Sequence, residues 1–336
     1  ARKQEGFVSV MAAFSFLGIM LGVAALIIVM SVMNGFRAEL LNRILGLNGH
    51  MNIYSYSRIF NGYEDVLKEI EPVQGIKHVF PMIEGQALLR ANNGVSGVVV
   101  RGVRHEDFMK KPLLSTSIVS GGPSGFKGFT AVIGEKLARK YNLKVGDDIV
   151  LVSPDTKASP FGSMPRSRKF TVAMIFNVGM FEYDSSFVYL PLEAAQAFYN
   201  KVGAISALEI FTEDPNNIDK LRQYMDELYG EKLFIQDWRE SNSSFFNALA
   251  VERNVMFIIL SLIVLVAAFN IISSMTMLVK DKGHDIAIMR TMGATRKNMK
   301  NIFMLTGATI GFCGTTCGAI LGIAFALNIE TIRQWI

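Results

Sequence analysis

Three long apolar segments divide the chain. Residues 7–33, 255–279 and 302–327 carry no charged side chain, and each segment is 25 to 27 residues long. About 20 helical residues cross the hydrocarbon core of a bilayer, so each segment predicts a transmembrane helix. A buried helix in a large soluble core would explain one such run, but three uninterrupted runs favour a membrane protein.

The region between the first two predicted spans, residues 34–254, has the pattern of an α+β domain. Strand–helix–strand units near its two ends indicate a split core at 48–96 and 201–238, with a β-rich subdomain inserted at 97–200. The first unit includes two predicted strands, at 77–80 and 86–90. Apolar positions at helical spacing continue past both adjoining spans, which predicts helices that extend beyond the membrane as stalks.

One loop of the inserted subdomain is unusually long. Residues 154–168 separate two predicted strands, whereas hairpin loops usually take 2–5 residues. Its three prolines restrict the backbone, and its tip is apolar above a basic base. These features favour a protruding arm that docks in an apolar groove of a partner, and a mobile surface loop is the alternative. The residues predicted to contact the partner are Ser159, Pro160, Phe161, Gly162, Met164, Pro165, Arg166 and Arg168.

The segment between the second and third spans, residues 280–301, predicts a short helix with an apolar stripe. Such a helix is suited to a groove in a cytoplasmic partner, and a plain solvated connector is the alternative. A glycine suits the position after its last turn. The residues predicted to contact that partner are Asp285, Ile286, Ala287, Ile288, Met289, Arg290, Met292 and Gly293.

Small residues recur at helical spacing in the first and third spans. Such stripes let another helix approach closely, either within the chain or in a dimer. Both cysteines, Cys313 and Cys317, lie in the third span, and we interpret them as packing residues rather than as a redox or metal site. The residues predicted to pack helices are Gly18, Gly22, Gly307, Gly311, Gly314, Gly318 and Gly322.

Charge predicts the orientation. Residues 34–254 carry 25 basic and 25 acidic side chains, so the formal net charge of +5 comes from two other segments. Residues 1–6 have two basic and one acidic side chain, and residues 280–301 have six basic and two acidic ones. By the positive-inside rule these two segments are cytoplasmic. The large domain then lies on the opposite side, and residues 328–336 form a short stub on that side.

No pattern for catalysis is recognisable. The four histidines have no metal-ligand spacing, and the chain has no phosphate-binding loop of the G-x-x-x-x-G-K-[ST] type. We therefore expect no enzyme activity, no metal and no cofactor in this chain, and we interpret the basic balance as a topology signal rather than a nucleic-acid site.

Several motifs together resemble a known family, the lipoprotein-releasing permeases LolC/LolE. They are Ser31-Val-Met-Asn-Gly-Phe36, Ile44-Leu-Gly-Leu47, Gln236-Asp-Trp-Arg239, Leu262-Ile-Val-Leu-Val-Ala-Ala-Phe-Asn-Ile-Ile272 and Ala287-Ile-Met-Arg-Thr-Met-Gly293. More distantly, the layout is similar to the macrolide-exporter and cell-division permeases. The resemblance implies a helical membrane protein with a large α+β domain like that of the macrolide-exporter permease. It also implies a fourth span beyond Ile336.

The resemblance implies a permease subunit of an ABC transporter in the bacterial inner membrane, with its domain in the periplasm. Such a permease extracts lipoproteins and hands them to a periplasmic carrier. Its partners would be a dimeric cytoplasmic ATPase, which holds ATP and Mg²⁺, and a second permease, identical or homologous. Membrane lipids would surround it.

The resemblance also implies roles for particular residues. Residues 154–168 match a carrier-binding hook, with Pro165 and Arg168 at its proline and basic residue, and the short helix of 280–301 matches a coupling helix. Lipoprotein acyl chains would lie between span one and a neighbouring subunit's span two, lined by Met33, Phe36 and Asn270. A related permease for efflux or for activating cell-wall hydrolases is the alternative, and the hook-like loop argues against it. A sensor or a membrane enzyme is favoured less.

Overall fold

The computed structural model describes residues 2–329 except 57, 58, 93, 160, 161 and 216; at 2–12, 155–159, 162–164 and 245 it describes the backbone alone. The chain forms two compact units. One is helical and comprises Ala1–Glu39 with Ser244–Ile336, and the other is a folded domain, Leu40–Ser243.

The elements of both units are numbered in chain order. The helices are α1 (Arg2–Leu47), α2 (Tyr63–Ile70), α3 (His105–Lys110), α4 (Pro112–Ser115), α5 (Glu135–Lys140), α6 (Phe181–Ser186), α7 (Leu192–Tyr199), α8 (Asp219–Tyr229), α9 (Trp238–Ser241), α10 (Ser243–Asp281), α11 (Gly283–Thr291) and α12 (Arg296–Leu327). The strands are β1 (Met51–Ser55), β2 (Phe60–Asn61), β3 (Ile76–Ala91), β4 (Gly94–Val103), β5 (Ile118–Gly121), β6 (Thr130–Gly134), β7 (Asp148–Ser159), β8 (Gly162–Phe176), β9 (Phe187–Pro191), β10 (Ala204–Ile205), β11 (Ala207–Thr212) and β12 (Leu233–Asp237).

Among the described residues, three helices are long and apolar enough to cross a membrane. Their candidate spans are Ala13–Leu47, Phe246–Asp281 and Arg296–Leu327. Helix α1 continues without a break to Leu47, and α10 already begins at Ser243, so both run well past the charge-free segments. Helices α1 and α10 are the two helices that were predicted to extend beyond the membrane as stalks.

One ten-stranded sheet forms the folded domain. Its strand order is β12-β1-β11-β3-β4-β9-β6-β8-β5, and β7 pairs with β3 and β8. Strand β1, from the start of the domain, lies between β11 and β12 from its end, as a split core requires. The boundary predicted at 96/97 falls inside β4, however, which pairs with β3 on one side and with β9 on the other. The split core and the inserted subdomain therefore share a single sheet.

Helices cover both faces of this sheet. Side chains alternate along a strand, so Met51 and Ile53 of β1 enter one core while Asn52 and Tyr54 point to the opposite face. Residues of α2, α5, α7 and α8 pack in the first core. Residues of α3, α4, α6 and the end of α1 pack in the second. Apolar burial on both faces is the main stabilising term of such a domain.

Glycines of α12 lie against α1. A Cβ atom added at Gly318 would lie 2.5 Å from the Met20 carbonyl oxygen, and one added at Gly322 would lie 2.9 Å from Ile27 Cβ. Gly314 approaches Ile19 in the same way. By contrast, Gly307 faces Met275 of α10, and a Cβ at Gly311 would meet nothing within 4 Å among the described residues. The glycines of the predicted stripe on α12 therefore do not all contact the same helix: some lie against α1, one lies against α10, and one contacts neither in the part of the chain that the structure describes.

We expect Gly318→Val to destabilise the helical unit and Gly311→Val to leave it nearly unchanged. Both variants add the same β-branched side chain to the same helix, but only the first forces α12 away from α1. Overpacking of this kind costs about 1–3 kcal/mol. Thermal unfolding of the two purified variants in detergent measures the difference, and equal melting temperatures would contradict the close α1–α12 packing.

Candidate functional site

The predicted long loop is largely a two-stranded arm. Strands β7 and β8 pair out to Ser159 and Gly162, so only residues 160 and 161 separate them. The prediction of a fifteen-residue loop at 154–168 was therefore wrong, because polar, proline-containing segments form this part of the hairpin. Pro160 and Phe161 lie outside the described residues, and of Ser159, Gly162 and Met164 only the backbone is described.

A bulge marks the base of the arm. Val152 pairs with Ser167 and Thr156 with Pro165. Between these two pairs, β7 therefore has three residues where β8 has one. The two additional residues of β7 interrupt the ladder, and Pro154 lies within this interruption. Bulges of this type bend a hairpin and re-aim what lies beyond them.

Charged side chains fix β8 just below the arm. The Arg168 guanidinium lies over the Phe129 ring, 4.3 Å from its centroid. Lys169 Nζ lies 2.7 Å from an Asp148 carboxylate oxygen, and the Thr171 hydroxyl donates to the same carboxylate. Lys169 first and Thr171 second lower the pKa of Asp148. Arg168, which was predicted to contact the partner, is therefore held by the domain's own aromatic ring.

Helix α11 forms where the short cytoplasmic helix was predicted. It ends at Thr291, and Met292 and Gly293 follow it, the glycine at a φ of 102° that suits a residue without a side chain. None of its described residues is buried. Ile288 is 47% exposed and Met292 75% exposed. Exposed apolar side chains on a short helix form a surface that a partner can cover.

Within one chain, the three residues predicted to line a lipid site between two subunits lie at separate positions. Asn270 of α10 approaches Gly18 of α1, whereas Met33 and Phe36 lie some 22–27 Å further along α1 at about 1.5 Å per residue. Phe36 is exposed and Met33 is half-buried. Near Asn270, the hydroxyls of Ser15 and Ser274 form a hydrogen bond between α1 and α10. Asn270 therefore lies beside α1 of its own chain, close to this hydrogen bond.

A cluster of polar and charged side chains on the sheet, most of them buried, was not predicted. Asn52 of β1 is flanked by Glu209 of β11 and Gln236 of β12, and Glu84 of β3 is opposite Arg101 of β4. All of these side chains, together with Asn48 and Tyr183, line a polar cavity of about 290 Å³. Only the pairing of distant strands brings them together, so a linear sequence gives no sign of the cluster.

Two ion pairs organise this cluster. Arg101 donates to Glu84 and to Asn48, each at 2.7 Å. Burial is the largest single effect and by itself lowers the pKa of Arg101, but Glu84 together with Tyr189, Glu209 and Tyr183 outweighs it, so the pKa lies above its ordinary value. Lys111 pairs with Glu209, and both side chains are fully buried. Burial lowers the pKa of Lys111, and the Glu209 carboxylate counters this only in part.

Glu209 also binds the end of the stalk. One of its carboxylate oxygens accepts the Gly49 backbone N–H at 2.7 Å, two residues after α1 ends. The Lys111 ammonium lies between the Phe80 and Phe211 rings, 5.9 and 5.3 Å from their centroids. This carboxylate therefore joins three parts of the domain: the start of the chain after α1, the first residue before α4, and the interior strand β11. Among the described residues no group of three His, Cys, Asp or Glu side chains could hold a metal ion.

Comparison with known proteins places this architecture in a class. A model of the MacB-like periplasmic core domain matches residues 12–228, and a model of the FtsX-like permease C-terminal domain matches residues 257–335. The first match covers α1 and most of the folded domain, and the second covers α10 to α12. The two together define an ABC transporter permease with a periplasmic domain inserted after its first span.

Curated relatives narrow the class. The chain is 33% identical to the lipoprotein-releasing system transmembrane protein LolC of Neisseria meningitidis serogroup B, over 99% of this chain and 81% of that protein. It is 30% identical to LolC of Xylella fastidiosa (strain Temecula1) over 100% of this chain and 81% of that protein, and 32% identical to LolE of Haemophilus influenzae over 100% and 82%. The chain belongs to the LolC/LolE family of lipoprotein-releasing system transmembrane proteins. The resemblance drawn from the motifs is thereby confirmed, as is the fold class.

The family fixes some general properties. The chain is a multi-pass inner-membrane protein with a periplasmic α+β domain. It is a permease subunit, a component that is not itself the catalyst of an ABC transporter and that works with an ATPase.

We expect Lys111→Met to destabilise the periplasmic domain strongly. Removing one partner of a buried ion pair leaves an uncompensated charge and costs about 3–5 kcal/mol. The control is Lys110→Met, because Lys110 is the exposed neighbour and surface changes usually stay within about 0.5 kcal/mol. Thermal unfolding of the purified variants compares them. The Lys111→Met, Glu209→Leu double variant should recover part of the loss, and a single variant as stable as the parent would show that the pair is dispensable.

Proposed function

We propose that this chain is the permease subunit that extracts lipoproteins from the inner membrane and passes them to a soluble periplasmic carrier. A separate ATPase dimer supplies the energy. The observation that carries this proposal is family membership, because LolC and LolE relatives match essentially the whole chain, including the domain, the arm and α11. The efflux and cell-wall alternatives are not favoured by these relatives.

The chemistry of the cargo explains why such a machine needs energy and an acceptor. Each methylene buried in the bilayer contributes about 0.8 kcal/mol, so one acyl chain of about fifteen methylenes is held by about 12 kcal/mol. Extraction into water would cost all of this free energy. Burial in an apolar acceptor recovers most of this free energy. The ATPase has to supply the rest and make the transfer run in one direction.

We place the ATPase contact at α11. The apolar side chains Ile288 and Met292 are exposed there, and the helix lies in the segment with the greatest excess of positive charge. That charge supports a cytoplasmic location for residues 280–301 and for the N-terminus. ATP and Mg²⁺ would bind to the ATPase, and this chain would need no cofactor of its own.

We place the carrier contact at the tip of the arm. A rigid two-stranded projection can enter an apolar cavity of a partner, and the basic residues Arg166 and Arg168 near its base favour an acidic rim around that cavity. The residues proposed for this contact lie from Ser159 to Pro165.

A second permease, identical or homologous, would complete the transporter. Helices α1 and α10 each expose large apolar side chains along their length. Acyl chains would lie between α1 of one permease and α10 of its neighbour, against Met33 and Phe36. The separate position of Asn270 beside Gly18 favours a role in holding α1 and α10 of one chain together.

We expect Ile288→Asp to abolish lipoprotein release by uncoupling the ATPase, because a carboxylate at the centre of an apolar contact is not solvated there. The matched control is Asn301→Asp, which adds the same charge at an exposed position of α12. Release and ATPase activity of the reconstituted complex are measured for both. A loss of about tenfold or more in release, in Ile288→Asp alone, is the expected outcome. Unchanged release in Ile288→Asp would contradict the coupling role.

We expect photocrosslinkers at Phe161 and Met164 to capture a small soluble periplasmic protein in intact cells. A crosslinker at Val119, an exposed residue of β5 away from the arm, is the control and should not capture it. The captured protein should also accept lipoprotein from the purified complex. Capture of only outer-membrane or cell-wall components at the arm would argue against a carrier and for the cell-wall alternative.

A further inference from the structure

An apolar groove lies at the base of the arm. Its volume is about 430 Å³, and its lining is mainly aliphatic and proline. The floor belongs to β3, β4 and β7, and two prolines of the arm form a wall. The lining residues that matter here are Leu88, Gly97, Val99, Val152, Pro154 and Pro165. This groove, the arm-base groove, was given no role in the function proposed above, although its wall shares Pro165 with the proposed carrier contact.

The floor of the groove is formed where β3 pairs with β4 on one side and with β7 on the other. Leu88 of β3 is opposite Gly97 on β4 and opposite Val152 on β7, so one leucine lies at the centre of three strands. Leu88 is nevertheless 51% exposed. A Cβ atom at Gly97 would meet no described atom within 4 Å, so the absence of a side chain keeps the floor open beside Leu88. The bulge in β7 carries Pro154 to the wall.

The floor favours a hydrocarbon over a peptide. Leu88 is paired on both sides, so the backbone at the centre of the floor is already engaged in the ladders to β4 and β7. A peptide laid on it would lose hydrogen bonds to water without gaining others, which is costly. An acyl chain loses none. At roughly 30 Å³ for each water-sized group, the groove holds about fourteen groups of methylene size.

We propose that the arm-base groove holds one acyl chain of the lipoprotein during its passage between the membrane and the carrier. The inference rests on the proposed function, and it adds a binding site outside the membrane. An acyl chain that crosses the periplasmic side without cover exposes every methylene to water. A groove at the foot of the carrier-binding arm keeps the chain covered at the place where the handover begins.

The test uses the complete permease–ATPase complex in proteoliposomes, with a lipoprotein whose acyl chains carry a photoactivatable diazirine. After irradiation, mass spectrometry identifies the labelled peptides. Label is expected on the peptides that contain residues 86–99 and 152–165. Its absence from both, in a complex that releases lipoprotein normally, would overturn the proposal.

Gly97→Leu places an apolar side chain in the groove, and its Cβ atom would meet no described atom within 4 Å. We expect it to reduce the acyl label in these peptides and the rate of transfer to the carrier by about tenfold or more, a size typical of changes in apolar pockets. ATPase activity and crosslinking of the carrier from Met164 should not change. The matched control is Gly122→Leu, where an added Cβ would approach only the Ser124 hydroxyl oxygen, at 4.0 Å. That variant should label and transfer like the parent.

The outcomes separate the inference from the proposed function. Normal labelling and transfer by Gly97→Leu would overturn the groove and leave the lipoprotein-releasing role in place. A photoprobe at Leu88 that captures the carrier polypeptide instead of the acyl chain would make the groove a protein contact and would also overturn it. A parent complex that releases no lipoprotein would refute the proposed function, and the inference would fail with it.

Discussion

The structure of the periplasmic domain depends on one buried carboxylate. Glu209 lies on the interior strand β11, pairs with Lys111 and accepts the backbone N–H of Gly49. Gly49 has to lack a side chain, since a Cβ there would collide with Glu209. A buried ion pair usually adds little net stability, because desolvation offsets its attraction. Its value here is specificity: it defines how the chain leaves α1 and enters the sheet.

Much of the architecture was predictable because its signals are local. Charge-free runs of sufficient length identify the three spans, and period-two alternation identifies strands such as β1. The two strands predicted at 77–80 and 86–90 are one strand, β3, although Pro81 interrupts the pattern. At Pro81, β3 pairs only with β11, and the ladder to β4 begins at Met82, so a residue without an N–H is tolerated there.

The candidate site was predictable only in part. The short helix α11 was predictable from its own spacing. The arm was predicted as a loop because its prolines and glycine hide the pairing of β7 with β8. The polar cluster of Glu84, Arg101 and Glu209 could not be predicted, because its members come from three strands that meet only in the folded sheet. In a single sequence, a charge in a strand indicates the solvent side, and burial appears only with tertiary pairing. The separation of Asn270 from Phe36 could not be predicted either, because it depends on which residues of α1 and α10 lie next to each other.

The ladder of the arm has a consequence for how such proteins diverge. Side chains of a hairpin alternate between its two faces with a period of two, so adding one residue to each strand lengthens the projection by about 3.4 Å and presents the opposite set of side chains at its tip. Adding two residues to each strand restores the original presentation. Arms that serve the same surface of a partner should therefore differ in reach by steps of two residues per strand. The bulge between Val152 and Thr156 can accommodate residues added to only one strand. The sheet at the base of the arm then keeps its register while the length of the arm varies.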